Sequence, residues 1–280
     1  MNSLIPAVAA ASLFTLSICA PAVAAGGKEN SRSAVSVKDD GYAQSSIDLK
    51  SDALPPKFKG YKCSDIVKGL KSLNAVKDEF ETRQQFEDRL LTGSTRALNG
   101  SITAVDPMVF VRQKDVAIKY EAESQSFKGS IYLGRSGMIR SENGLFEAEA
   151  LEVLGKSSRS YEATNGYGAK ALVQEANATV CGVLFKTSQG KKSWESLRLN
   201  FDFPMEPGQA REAKEFMRIA FVGALMLPYL GTYASFVEPT ISSPYASNTT
   251  GDAVVMRLDE AWVFNGRTGQ IYAKVRPYIK

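Results

Sequence analysis

The sequence predicts an α+β domain, mainly an antiparallel sheet, with two N-terminal helices and one late helix; a sandwich-like or barrel-like arrangement is the alternative architecture. Three observations carry this. Segments with helical periodicity and a clear start signal lie before residue 95, apolar residues recur with period two from Gly100 onward, and a strand–helix–strand unit occupies Leu197 to Leu230.

Residues 1–25, MNSLIPAVAAASLFTLSICAPAVAA, carry no charged side chain and pass from an apolar run into small residues. That is the pattern of a secretory signal peptide cleaved near Ala25, which implies a periplasmic or secreted protein. An uncleaved anchor is disfavoured, because the apolar run from Leu4 to Ala20 is interrupted by Pro6, leads to Pro21 and is shorter than the ~20 residues a membrane span needs. Lipidation at Cys19 is disfavoured by Ile18, since a lipoprotein signal carries a small residue there. Residues 26–56 are polar and aperiodic, the composition of a flexible N-terminal tail. The single α+β domain is therefore expected over 57–280.

Within that domain Ser64 can cap a first helix, with Ile66, Val67, Leu70 and Leu73 on one face. A second helix starts more sharply. Thr82 and Gln85 have capping-box spacing, and Phe86, Leu90 and Leu91 supply its apolar face. Asp78, Glu79 and Glu81 then lie where the helix dipole favours negative charge.

Strand signals follow. Val109 to Val111 form a short apolar run, and the alternating segments ending in Ile118–Tyr120 and beginning at Phe127 are close enough to form an antiparallel hairpin. Leu145 to Leu154 mixes helix formers with alternation and reads as a strand whose Glu147 and Glu149 face solvent. Tyr161 to Lys186 reads as two strands separated near Glu175 to Ala178, with a glycine-containing kink at Asn165-Gly166-Tyr167-Gly168. In the central unit, Leu197, Leu199, Phe201 and Phe203 alternate with polar residues, Pro207 suits a helical first turn, and the segment from Met217 is a buried strand ended by Pro228. If its two strands pair in parallel, the crossover is right-handed. A transmembrane helix over Phe216 to Phe236 is disfavoured by Arg218 and Pro228. Residues 231–251 read as a long irregular loop, and Asn265 to Gly269 as the turn joining two final strands.

Composition narrows the chemistry. The absence of histidine excludes serine–histidine and cysteine–histidine nucleophilic sites and nearly all zinc sites, and no cofactor or metal site is expected. A formal charge of +4, with Lys57, Lys59, Lys62 and Lys191, Lys192 scattered, lacks the basic stripe of a nucleic-acid interface. Cys63 and Cys181 form the candidate disulfide of an exported chain. Closing so long a loop is worth about 4–5 kcal/mol on the entropic account; two buried thiols are the alternative.

The segments DEFETRQQFEDRL at 78–90, KYEAESQSF at 119–127, SYEATNGYGAKALV at 160–173 and FPMEPGQAREAKEFMRIAFVGAL at 203–225 resemble a loose group of uncharacterised exported bacterial proteins. That group shares an EFET-type helix start, a YDAD-like strand end and an NAFG-like turn; the chain departs from it at YEAE and NGYG. The resemblance implies a single domain in the cell envelope, with no known activity.

Two function classes remain. A non-catalytic envelope protein would bind a partner or ligand through the loop carrying Tyr233, Phe236 and Tyr245. A carboxylate-dependent hydrolase acting on glycans or other envelope material would use Glu147 and Glu149, which lie on one side of a strand. An assembly role through an exposed edge is opposed at the C-terminal strand by Lys274, Arg276 and Pro277.

Overall fold

The computed structural model describes residues 35–75, 77–112, 118–133, 138–141, 144–186 and 197–279. The expected signal peptide, Cys19, Lys191 and Lys192 lie outside them. Strand makes up 54% of the described residues and helix 14%, so sheets set the architecture.

The first helix, α1 (Cys63–Ser72), buries Ile66, Val67 and Leu70. Its cap residue is Lys62 rather than Ser64. The Ser64 backbone N–H and hydroxyl instead donate to the Glu152 carboxylate at 3.1 and 3.2 Å, so a strand supplies the negative charge that this helix end favours. The second helix, α2 (Arg83–Gly93), starts on Thr82 with both halves of the capping box formed. Arg89 then ties the two helices together, donating to Glu81 and to the Leu73 and Asn74 carbonyls.

After a short pair, β1 (Ala97–Asn99) and β2 (Ile102–Thr103), come β3 (Met108–Val111), β4 (Ile118–Glu121), β5 (Ser126–Tyr132) and β6 (Met138–Ser141). Two long strands, β7 (Gly144–Thr164) and β8 (Lys170–Lys186), precede β9 (Leu197–Pro204) and helix α3 (Pro207–Phe216). The chain ends with β10 (Met217–Val237), β11 (Tyr245–Asn265), β12 (Ile271–Val275) and β13 (Tyr278–Ile279).

The large sheet has the order β3-β10-β11-β8-β7-β6, with β12 also paired to β11, and curls into a half-barrel. All its pairs are antiparallel except β8 with β11, which run parallel from Gln174↔Tyr245 to Phe185↔Met256. A smaller sheet has the order β13-β9-β5-β4. The expected hairpin of β4 and β5 is present. The two strands flanking α3, however, belong to different sheets, so no crossover within one sheet joins them.

The main core combines α1, β3, the inner halves of β8, β10 and β11, and the inward residues of β9. Trp262, Phe264, Phe185 and Phe221 are fully buried there, with the Phe185 and Phe221 rings edge-to-face at 5.2 Å. Helix α3 buries only Ala210 and Ala213.

Several sequence-based boundaries need correction. From Val35 onward the segment expected as a tail over 26–56 is built into the domain: Ala43, Ile47 and Leu54 are core residues, and Ala53 bridges Gln270. The segment 170–186 is one strand, and 165–168 is the turn of the β7–β8 hairpin. Residues 231–251 are not a loop, because β10 continues to Val237 and β11 begins at Tyr245. Pro228 and Tyr229 interrupt the ladder between Leu225 and Leu230 without ending it.

Candidate functional site

The outer halves of β10, β11, β8 and β7 extend the large sheet into a four-strand arm. Because β8 and β11 are parallel, the β7–β8 turn and the β10–β11 turn lie at the same end. The Gln174 N–H donates to the Pro244 carbonyl at 2.9 Å and joins them.

Local chemistry builds each turn. The Asn165 side chain accepts from the Tyr167 and Ala169 N–H groups at 3.0 and 2.9 Å, and Gly168 takes a φ of +85°, which disfavours side chains. In the second turn, the Thr240 hydroxyl accepts from the Ser243 N–H at 3.0 Å. Across the arm, Arg159 pairs with Glu175 and Lys170 with Glu162, both at 2.8 Å. Glu175 has its carboxyl held below the ordinary carboxylate range, chiefly by the Asn177 amide and then by Arg159.

Fifteen large apolar side chains are exposed among the described residues, and nine of them belong to this arm. Register sorts them by face. Leu172, Tyr245 and Val237 share one face on three neighbouring strands, since Tyr245 pairs with Gln174 and Val237 with Ser247. They are 61%, 47% and 49% exposed. Tyr167 in one turn is 99% exposed, and Ile241 in the other is also exposed. Nearer the body the same face holds a small buried cluster of Phe146, Val180, Leu184, Tyr233 and Val255. The exposed strip is therefore the outer end of an apolar face.

The three residues singled out from sequence separate in the fold. Tyr233 is buried, Tyr245 lies in the exposed strip, and Phe236 is exposed on the opposite face. Tyr167, Leu172 and Ile241 escape a sequence reading because the strand pairing that gathers them is non-local. The only local signal is Tyr167 between two glycines in a turn.

Cys63 and Cys181 are joined in a disulfide, with Cα atoms 5.8 Å apart and a sequence separation of 118. It pins α1 to β8 at the base of the arm.

Glu147 and Glu149 share one face of β7 but do not face solvent. Both are buried, Glu147 accepting from the Leu197 N–H at 2.6 Å and Glu149 pairing with Arg112 at 3.0 Å. The alternation with alanine misleads because Ala148 is also buried, so β7 is covered on both faces at this point.

Among the described residues, no three His, Cys, Asp or Glu side chains are gathered to hold a metal ion, and no helix is long and apolar enough to cross a membrane. No protein-family model matches the chain, and no curated protein or solved structure matches it.

Proposed function

We propose that this is an exported, non-catalytic protein of the cell envelope that binds a partner through the outer end of its four-strand arm. The observation that carries this reading is the Leu172–Tyr245–Val237 strip, flanked by Tyr167 and Ile241. Tyrosine and leucine on a braced β-scaffold offer contact area at low conformational-entropy cost, and contiguous exposed apolar surface marks interaction sites. Two features support the exported setting: the disulfide and the signal-like residues 1–25. The resemblance to exported bacterial proteins points the same way and rests on four segments of sequence.

The test is recovery of the native exported protein from its own cells after mild cross-linking, followed by mass spectrometry. A Leu172→Ser/Tyr245→Ser variant is compared with Tyr278→Ser, which changes an exposed tyrosine on the small sheet. A partner retained by wild type and Tyr278→Ser but lost from the double variant supports the reading; equal recovery by all three sinks it. The intact mass of the same preparation tests export, with a chain starting after Ala25 as the expected result.

A further inference from the structure

Among the described residues, two edges of the large sheet have no strand partner along the arm. β7 pairs with β6 only over Gly144 to Glu147, and β10 pairs with β3 only over Ala220 to Gly223. Beyond those short partners, β7 and β10 each have one strand neighbour in the arm among the described residues.

The two edges differ in chemistry. The β7 edge carries Lys156, Arg159 and Glu162 and has two register shifts, devices that deter strand addition. Residues 230–237 of β10 read Leu-Gly-Thr-Tyr-Ala-Ser-Phe-Val, with no charge, no proline and an unbroken register against β11. Alternate residues of such a strand direct their N–H and C=O groups away from the existing partner.

We propose that this edge pairs with the same edge of a second copy, antiparallel about a two-fold axis near Ala234, so that the sheet continues across a dimer. Charge placement selects a second copy over an unrelated strand. At the Leu230 end, β10 borders a cavity of about 520 Å³ whose wall includes Lys71, Lys77 and Arg83. Lys71 pairs with Asp252 and Arg83 with Glu87, whereas Lys77 has no ion pair among the described residues. The Val237 end is followed at once by Glu238, which is exposed. Antiparallel two-fold pairing sets each Glu238 opposite Leu230 of the other copy, at the cavity mouth beside Lys77. The contact occurs twice per dimer. The same register sets Phe236, 65% exposed in the single chain, opposite Thr232 of the other copy and beside the apolar wall formed by Leu227 and Leu230.

This surface meets the Leu172–Tyr245–Val237 strip only at Val237, because Leu172 and Tyr245 lie on β8 and β11. Sedimentation equilibrium of the mature chain, with its disulfide intact, at tens of micromolar is the direct test. Wild type should have twice the monomer mass, and Ala234→Lys, which sets two cations against each other at the axis, should be monomeric with the melting temperature of wild type diluted until it is monomeric. Glu238→Lys and Lys77→Glu should each weaken the dimer by about 2- to 5-fold per exposed contact, and the combined variant should recover wild-type affinity. A monomeric wild type, or a dimer indifferent to Ala234→Lys, overturns the proposal. Failure of the combined variant to recover overturns the two-fold register.

Discussion

Tyr233 on β10 reaches past β11 to Gly182 on β8, its ring Cδ2 3.0 Å from where a Cβ at that glycine would stand. The Glu149 carbonyl oxygen is 2.9 Å from the same point, so the site has no room for a methyl group. Gly182→Ala should therefore destabilise the protein by about 1–3 kcal/mol, the usual cost of overpacking. Urea unfolding would register this as a lower midpoint at unchanged slope.

Tyr233 and Tyr245 should respond oppositely to truncation. Tyr233→Ala empties a buried position and should cost about 3 kcal/mol or more, as other buried aromatic truncations do. Tyr245→Ala, in the exposed strip, should stay within about 0.5 kcal/mol. Thermal melts of the two variants side by side check the assignment of one tyrosine to packing and the other to surface.

The Arg112–Glu149 pair is buried enough for its loss to be felt. Arg112→Met removes a cation from a carboxylate that is 1% exposed and should cost about 3 kcal/mol. Arg112→Met combined with Glu149→Leu should recover much of that, because the buried charge leaves with its partner. A combined variant no more stable than Arg112→Met would show that Glu149 is needed for some other reason.

Acid should loosen the helix pair. Hydrogen bonds from Arg89 hold the Glu81 carboxyl below its ordinary value of 4.5. A lowered folded-state pKa contributes stability that is present above the unfolded value and lost as pH falls through the folded one. The loss should thus begin below about pH 4.5, and Arg89→Leu should flatten it. Stability measured against pH for both proteins, at low and high salt, provides the check.

Reducing the Cys63–Cys181 link should cost about 2–5 kcal/mol, because the loop it closes is long. Cys63→Ala/Cys181→Ala should match the reduced wild type in a denaturant melt and lose the mobility difference between reducing and non-reducing gels.

What could be read from the residues alone was local. Thr82 and Gln85 are three positions apart and complete their exchange within one helical turn, so spacing suffices to locate α2. Pro207 and the alternation of Leu197 to Phe203 are legible for the same reason. Glu147 and Glu149 were not, since their burial depends on the start of β9, fifty residues away from Glu147. Residues 231–251 looked irregular because serine, threonine and glycine blur the period; β10 and β11 keep them in a ladder that β8 extends in parallel. The candidate strip was half visible: Tyr245 stood out by composition, while Leu172 becomes its neighbour only through that parallel pairing.

The parallel β8–β11 pairing also sets a timetable. Its first rung joins Gln174 to Tyr245 and its last joins Phe185 to Met256, so about seventy residues separate every pair it makes. Such contacts form late, since the loop between them must be closed before any rung is gained. Until β11 arrives, the β7–β8 hairpin has an unpaired edge along β8, where Val180, Val183, Leu184 and Phe185 are otherwise buried. The interval in which this chain is most exposed to aggregation or to a chaperone is thus the wait of β8 for a strand near the far end of the polypeptide.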